Sequence, residues 1–338
     1  MNAERLRGLL CELEDEIQRD VLRARDASTP EELSRVVDVT EADSIYRLDH
    51  LSEATVLDWF RERWPSELPV ELVMEGLERR GRVVFPEGVA PEDTLAKCIV
   101  DPVDGTRELM YDKRSAWVLA GVAPQRGVET RLSDLIAAAM TELPPTKQRR
   151  ADQLSAIRGL GRAGLVARRR DLDSGETSSL SPNPSRATDL THGFAAFARF
   201  LPEGKGLLAQ FEEALWERLY GRSPTPEIFE DQYISTGGQF YELLVGHDRM
   251  TGDLRPLALA ALGRDSSLVC HPYDSCTGLI LEEGGCRLTD PRGAPLDAPL
   301  DCVSPVAWVG FANAELEAHV RPALDALLES FFPRAPSG

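Results

Sequence analysis

The 338-residue sequence predicts a mixed α/β fold. Short apolar runs of strand length recur at 71–75, 95–100, 116–122, 286–290 and 306–310. Stretches of helical period lie among them, the clearest at 2–26, 206–220 and 314–332. With 42% hydrophobic residues, the chain can fill a large core in one big domain or two smaller ones.

Taken in order, residues 2–26 place Leu6, Leu9, Leu10, Leu13, Ile17 and Val21 at helical spacing, with charges between them. That is an amphipathic helix packed on a core. Thr29-Pro30-Glu31-Glu32 reads as the cap and first turn of a short helix. Residues 36–40 alternate like a strand. Asp43 then stands where a helix over 44–64 begins, a place that favours an acid through the helix dipole. The strand at 71–75 ends in Glu75, and 79–96 reads as a loop. The interval 141–232 is the hardest to place. It holds a basic section (Lys147, Arg149, Arg150, Arg158, Arg162 and Arg168-Arg169-Arg170), then a Ser/Pro/Thr-rich stretch at 174–188 that reads as an exposed loop. A helix is expected at 239–246, and 257–262 is apolar without a clear period. Asp274 opens an apolar helix that Gly284-Gly285 closes.

The net charge of −18 excludes whole classes of partner. Nucleic-acid polymers and anionic membranes need basic surface. A phosphorylated small molecule is also repelled at long range, so a phosphate site here needs local positive charge, and bound metal is the obvious source. The six cysteines (Cys11, Cys98, Cys270, Cys276, Cys286 and Cys302) show neither Cys-x-x-Cys nor zinc spacing. They read as reduced thiols of a cytoplasmic protein. The charged start, from Glu4 and Arg5 onward, is unlike a signal peptide, and no apolar run spans a bilayer.

The richest stretch is Asp101-Pro102-Val103-Asp104-Gly105-Thr106. Cys98-Ile99-Val100 ahead of it reads as the end of a buried strand, and Pro-Val-Asp-Gly as a turn. Two carboxylates therefore stand at a strand end, beside the N–H groups of Gly105 and Thr106. Carboxylates are the hard oxygen ligands that magnesium prefers, and backbone N–H groups hold phosphate oxygens. A bare Asp-x-x-Asp-Gly is also an ordinary turn, so further elements must decide. The sequence has no Ser-His-Asp or Cys-His pattern and no EF-hand spacing.

Four elements in the right order resemble the magnesium-dependent, lithium-sensitive phosphatases related to inositol monophosphatase. The first is Asp101 to Thr106, close to that family's Asp-Pro-Ile/Leu-Asp-Gly-Thr. The second is Tyr273-Asp274 through Gly285, where the family has Trp-Asp, an apolar run and Ala-Gly-Gly. The third is Val39 to Asp43, matching Val-Thr-x-Ala-Asp. The fourth is Met74-Glu75-Gly76, which keeps the first acid of the family's Gly-Glu-Glu and lacks the second. The match covers about 30–125 and 230–330.

The resemblance implies a layered αβαβα sandwich built on two sheets, of the inositol monophosphatase and fructose bisphosphatase kind. An N-terminal half (1–185) would carry the metal motif and a C-terminal half (186–338) Asp274, with the site between them. By resemblance, Glu75, Asp101, the Val103 carbonyl, Asp104 and Asp274 hold two or three Mg2+ ions. Asp43 and Thr106, with Glu75, serve the attacking water, and Gly105 and Thr106 hold phosphate oxygens. Water attacks in line, with no covalent enzyme intermediate, and lithium and calcium inhibit. The implied partner is a small phosphorylated metabolite, and a homodimer is allowed. Two other readings stay open: a non-catalytic relative that binds a phosphorylated ligand, and a 3′(2′),5′-bisphosphate nucleotidase. The second is suggested by Arg107-Glu108-Leu109, which resembles the nucleotidases' Lys-Glu-Phe after Asp-Gly-Thr, and by the basic section. Inositol-type or sugar monophosphates are preferred.

Overall fold

The structure, a computed structural model, describes residues 1–33, 36–39, 44–77, 81–222, 227–264 and 268–333. The chain opens with helix α1 (Ala3–Asp26), one turn of helix α2 (Pro30–Leu33), and the antiparallel pair β1 (Val36–Val39) and β2 (Ser44–Tyr46). The Asn2 side chain caps α1 by accepting the Arg5 N–H. Helix α3 covers Arg47–Arg63 rather than 44–64, because 44–46 pair with β1 instead.

The large sheet comes next. Its strands are β3 (Val70–Met74), β4 (Val83–Phe85) and β5 (Ala96–Asp104), then, after the short helix α4 (Thr106–Met110), β6 (Ala116–Pro124), β7 (Ala137–Leu143), β8 (Arg150–Ile157), β9 (Val166–Asp171) and β10 (Thr177–Ser179). They are ordered β10-β9-β8-β7-β6-β5-β3-β4. Two expected loops therefore hold strands. The loop at 79–96 contributes the edge strand β4, whose Phe85 stacks on Phe60 of α3 with centroids 5.5 Å apart. The stretch 174–188 contributes β10.

The second sheet is built from β11 (Gly193–Phe197), β12 (Ile228–Phe229), β13 (Asp248–Asp253), β14 (Arg287–Thr289) and β15 (Trp308–Phe311), in the order β12-β11-β13-β15-β14. Its helices are α5 (Lys205–Tyr220), α6 (Thr236–Val245), α7 (Arg255–Ala261), α8 (Pro272–Ser275), α9 (Gly278–Gly284) and α10 (Ala314–Phe331). Helix α6 begins three residues before the expected 239, with Ser235 as its N-cap. The apolar run at 257–262 falls mostly in α7.

Side-chain alternation along the strands creates the layers. On β5 and β6, Cys98, Val100, Val118, Ala120 and Val122 face α1 and α3, where they meet Leu10, Leu13, Ile17 and Phe60. Ile99, Trp117 and Leu119 face the other way, onto Phe240 and Leu243 of α6 and Leu279 and Ile280 of α9. The second sheet lies beyond those helices, and α5 and α10 cover its far side through Phe211, Leu316 and Val320. The result is the expected αβαβα sandwich. None of the described helices is long and apolar enough to cross a membrane. Cys98, Cys270, Cys276 and Cys286 are buried thiols.

One buried acid sets a pH dependence. Glu14 of α1 lies under β7 with no exposed surface, and one oxygen accepts the Thr141 hydroxyl at 2.6 Å. Its other oxygen has no partner among the described residues. Burial, reinforced by Asp15, holds this carboxyl well above the usual carboxylate range. Above the ordinary carboxylate pKa the folded chain then binds more protons than the unfolded one, so this group's contribution falls as pH rises. Each unit of such a shift is about 1.4 kcal/mol. Glu14→Gln is therefore expected to raise the melting temperature at pH 8 by about 2 °C or more, with a smaller gain at pH 5. An equal change at both pH values would contradict this.

Candidate active site

The centre of the site is a distortion in β5. The strand does not end before Asp101 but runs on through Asp104, and its pairing with β6 shifts register between those two residues. In a regular strand, residues three apart point to opposite faces. The bulge absorbs one residue, so Val103 joins the core beneath α1 and α3, and both carboxylates face the helices of the middle layer. Pro102 suits this place, since it has no N–H to give a ladder. The Asp101 Oδ1 accepts the Val103 N–H at 3.0 Å, and the Val103 carbonyl accepts the Thr106 hydroxyl at 2.8 Å. Gly105 then turns the chain with φ +94°, where a Cβ would lie 3.0 Å from the Ile234 carbonyl.

Asp274 arrives from the C-terminal half on α8. Pro272 starts that helix and the Asp274 carboxylate, in its first turn, accepts the His271 N–H at 2.6 Å; the apolar helix Asp274 was expected to open is a separate one, α9, which begins at Gly278. Tyr273, which stands for the family's Trp, stacks on the His271 ring, and its hydroxyl lies 3.2 Å from His271 Nδ1. Oxygens of Asp101, Asp104 and Asp274 all lie within 4.8 Å of one another.

Helix α6 fixes the orientation of Asp104. Its carboxylate accepts the Ser235 hydroxyl at 2.8 Å, the Thr236 N–H at 3.3 Å and the Gly237 N–H at 2.6 Å. These are donors of a helix N-terminus, which also carries positive partial charge. Gly237 permits the approach: a Cβ there would fall 2.5 Å from Leu119 Cδ2 and 3.1 Å from Asp104 Oδ2.

Burial pushes all three carboxyls up. Asp101 is raised well above the ordinary range by desolvation and then by Glu75, Asp104 and Asp274. Asp274 is raised by desolvation and by Asp104. Asp104 reaches only about 6, because the α6 donors and the Arg255 guanidinium oppose its desolvation. Three hard oxygen donors so close cannot all ionise without a cation. The donor set fits a divalent metal such as Mg2+, which takes carboxylate oxygens.

Glu75 follows β3 directly, its N–H bonded to the Val100 carbonyl at 3.4 Å, and its charge acts on Asp101. Asp43, with the whole 40–43 element, lies outside the described residues. Gly76 turns with φ +87°, and the Glu53 carboxylate of α3 lies 3.9 Å from where a Cβ at 76 would stand. An acid from another element thus borders the position where the resemblance expects one. Arg255 was not singled out by the sequence reading. It is buried, bonded to Asp253 at 2.5 Å and to the Leu268 carbonyl at 3.0 Å, and sits over the Phe200 ring. Its sequence signal is slight: an Asp-Leu-Arg triplet after a strand. Ser235, Thr236 and Gly237 were also missed as Asp104 partners, although Ser-Thr-Gly-Gly ahead of an apolar run is a cap signature.

The fold is that of solved inositol monophosphatases and fructose-1,6-bisphosphatases. The extragenic suppressor protein suhB of Bartonella henselae superposes with a TM-score of 0.63 at 17% identity, covering 96% of this chain and 98% of that one. A fructose-1,6-bisphosphatase of Leishmania major in holo form gives 0.63 at 14% identity, over 96% and 94%. An inositol monophosphatase from Anabaena gives 0.58 at 14% identity, over 98% and 97%. No family model and no curated protein matches the chain by sequence. At such identities these likenesses speak to the fold alone.

Proposed function

We propose that this protein is a magnesium-dependent phosphomonoesterase acting on a small phosphorylated metabolite, of the inositol monophosphate or sugar phosphate type. The observation that carries the proposal is the β5 bulge, which turns Asp101 and Asp104 toward Asp274 in a fold shared with phosphatases. Glu75, Asp101, Asp104, Asp274 and the Val103 carbonyl would hold Mg2+, two or three ions per site. When bound, such a cation supplies positive charge against the phosphate and lowers the pKa of water.

The chain's own residues do the rest. Asp104 is held rigid by α6, so its carboxylate keeps one orientation. The Thr106 hydroxyl and Asp43 are the pair assigned to the attacking water, with Glu75 beside Asp101. The Gly105 and Thr106 N–H groups are the phosphate donors. Arg255, itself paired with Asp253, and the α6 N-terminus favour the ionised Asp104 carboxylate against its desolvation.

The bisphosphate nucleotide remains the rival substrate. Its case rested partly on Arg168 to Arg170, and all three are committed: Arg168 and Arg170 pair with Asp15, and Arg169 with Asp152. That supports the monophosphate ordering. The test is a panel of inositol 1-phosphate, a sugar phosphate and adenosine 3′,5′-bisphosphate, each assayed with magnesium and with excess chelator. Turnover is expected on a monophosphate only with magnesium. Equal activity in chelator would overturn the metal reading, and a large kcat/KM advantage for the nucleotide would reverse the substrate ordering.

A further inference from the structure

A cavity of about 450 Å3 opens beside the N-terminal end of β6, between the sheet and α6. None of Glu75, Asp101, Asp104 and Asp274 lines it. Its volume falls in the range of small-molecule sites. Tyr241 lines it half-buried, backed by the fully buried Trp117 with ring centroids 4.8 Å apart.

The acids of this cavity already have partners. Asp152 takes two bonds from Arg169 at 2.7 Å and one from the Tyr241 hydroxyl at 2.6 Å. Glu242 takes Arg114 at 2.9 Å. Glu142 accepts the Ser115 hydroxyl and the Gln148 amide, both at 2.7 Å. Two further cations, Lys113 and Arg150, line the cavity from exposed positions and form no ion pair among the described residues. Lys113 and Arg150 are thus the lining cations left to meet an anion, on a chain of net charge −18.

We propose that this cavity is a second ligand site, for a small molecule that carries one phosphate on a planar ring. Lys113 and Arg150 take the phosphate, and the half-buried Tyr241 ring, backed by Trp117, takes the ligand's ring. No acid of the catalytic cluster reaches the cavity, so the ligand is held there and not hydrolysed. The site nonetheless shares elements with that cluster. Trp117 is the register partner of Asp104, and α6 supplies both Tyr241 and the N–H groups bonded to Asp104.

The chain suits a covalent probe, because its only lysines are Lys97, Lys113, Lys147 and Lys205. Pyridoxal 5′-phosphate carries a planar ring, a phosphate and an aldehyde. The Lys113 amine condenses with the aldehyde carbon, the C=N bond forms and water leaves. Borohydride then delivers hydride to that carbon and fixes the adduct for peptide mapping. The experiment is run on the full chain in excess chelator, so its outcome is independent of metal-dependent hydrolysis. Lys113 is expected to be labelled at least about tenfold faster than the exposed Lys147 and Lys205. Phenyl phosphate should protect it at concentrations about tenfold below those needed with inorganic phosphate or phenol. Arg150→Glu should abolish the preference, and Arg150→Gln should reduce it. Even labelling across the exposed lysines would overturn the site. Protection by inorganic phosphate or phenol equal to that by phenyl phosphate would overturn the ligand class. An unchanged preference in both Arg150 variants, each shown to be folded by circular dichroism, would overturn the phosphate assignment.

Discussion

Asp274→Asn is expected to lower magnesium-dependent phosphatase turnover by about a thousandfold or more while leaving the chain folded, a loss of about 4 kcal/mol in transition-state stabilisation. The asparagine keeps the shape and an oxygen that can still accept the His271 N–H, so α8 retains its start. What it removes is one of three converging charges. Burial first, and repulsion among these acids second, raises the Asp101 and Asp274 carboxyls. The metal-free variant should therefore be as stable as the parent, or more stable. Magnesium should raise the parent's melting temperature by mass action and leave the variant's nearly unmoved. Two readouts thus move in opposite directions for one cause. Turnover within about tenfold of the parent at saturating magnesium, or an undiminished thermal shift, would sink the assignment of Asp274 as a ligand.

The meeting of Asp101, Asp104 and Asp274 was legible in the sequence because carboxylates at fixed offsets from Gly and Pro carry both a local and a chemical signal. The mechanism that unites them was not. Asp-Pro-Val-Asp-Gly looks like a turn, yet β5 continues through it, and the turn falls only at Gly105. Tertiary pairing with β6 overrode the turn propensity, and the bulge replaced the expected end of the strand. The interval 141–232 was opaque for another reason. Strand β8 reads Arg-Ala-Asp-Gln-Leu-Ser-Ala-Ile and buries Asp152, Gln153 and Ser155. Those burials are tolerated because Arg169, Tyr241 and Thr141 sit ready to bond Asp152 and Gln153. Partners so far apart in sequence leave no local pattern. The same holds for α6, whose first turn serves Asp104, a residue 131 positions away from Ser235.

Gly237→Ala is expected to lower turnover about a hundredfold and to raise the magnesium concentration needed for half-activation. Nothing about the backbone requires glycine here; the space does. An added Cβ would lie 2.5 Å from Leu119 Cδ2, 3.1 Å from Asp104 Oδ2 and 3.2 Å from Trp117 Cβ. Leu119 and the Trp117 stem both belong to fully buried side chains, and Asp104 is fixed by three donors. The first turn of α6 must therefore retreat by a few tenths of an ångström. That lengthens the 2.6 Å bond from Gly237 to Asp104 and lets the carboxylate move. Overpacking of this kind costs about 1–3 kcal/mol, against at most about 1 kcal/mol that alanine gains in a helix, so the melting temperature should fall by a few degrees. Gly206→Ala in α5, where a Cβ meets nothing within 4 Å, is the matched control and should leave turnover and the magnesium requirement unchanged without lowering the melting temperature. A Gly237→Ala protein that is destabilised yet keeps the parent's turnover and magnesium dependence would show that α6 holds the fold together without positioning Asp104 for chemistry.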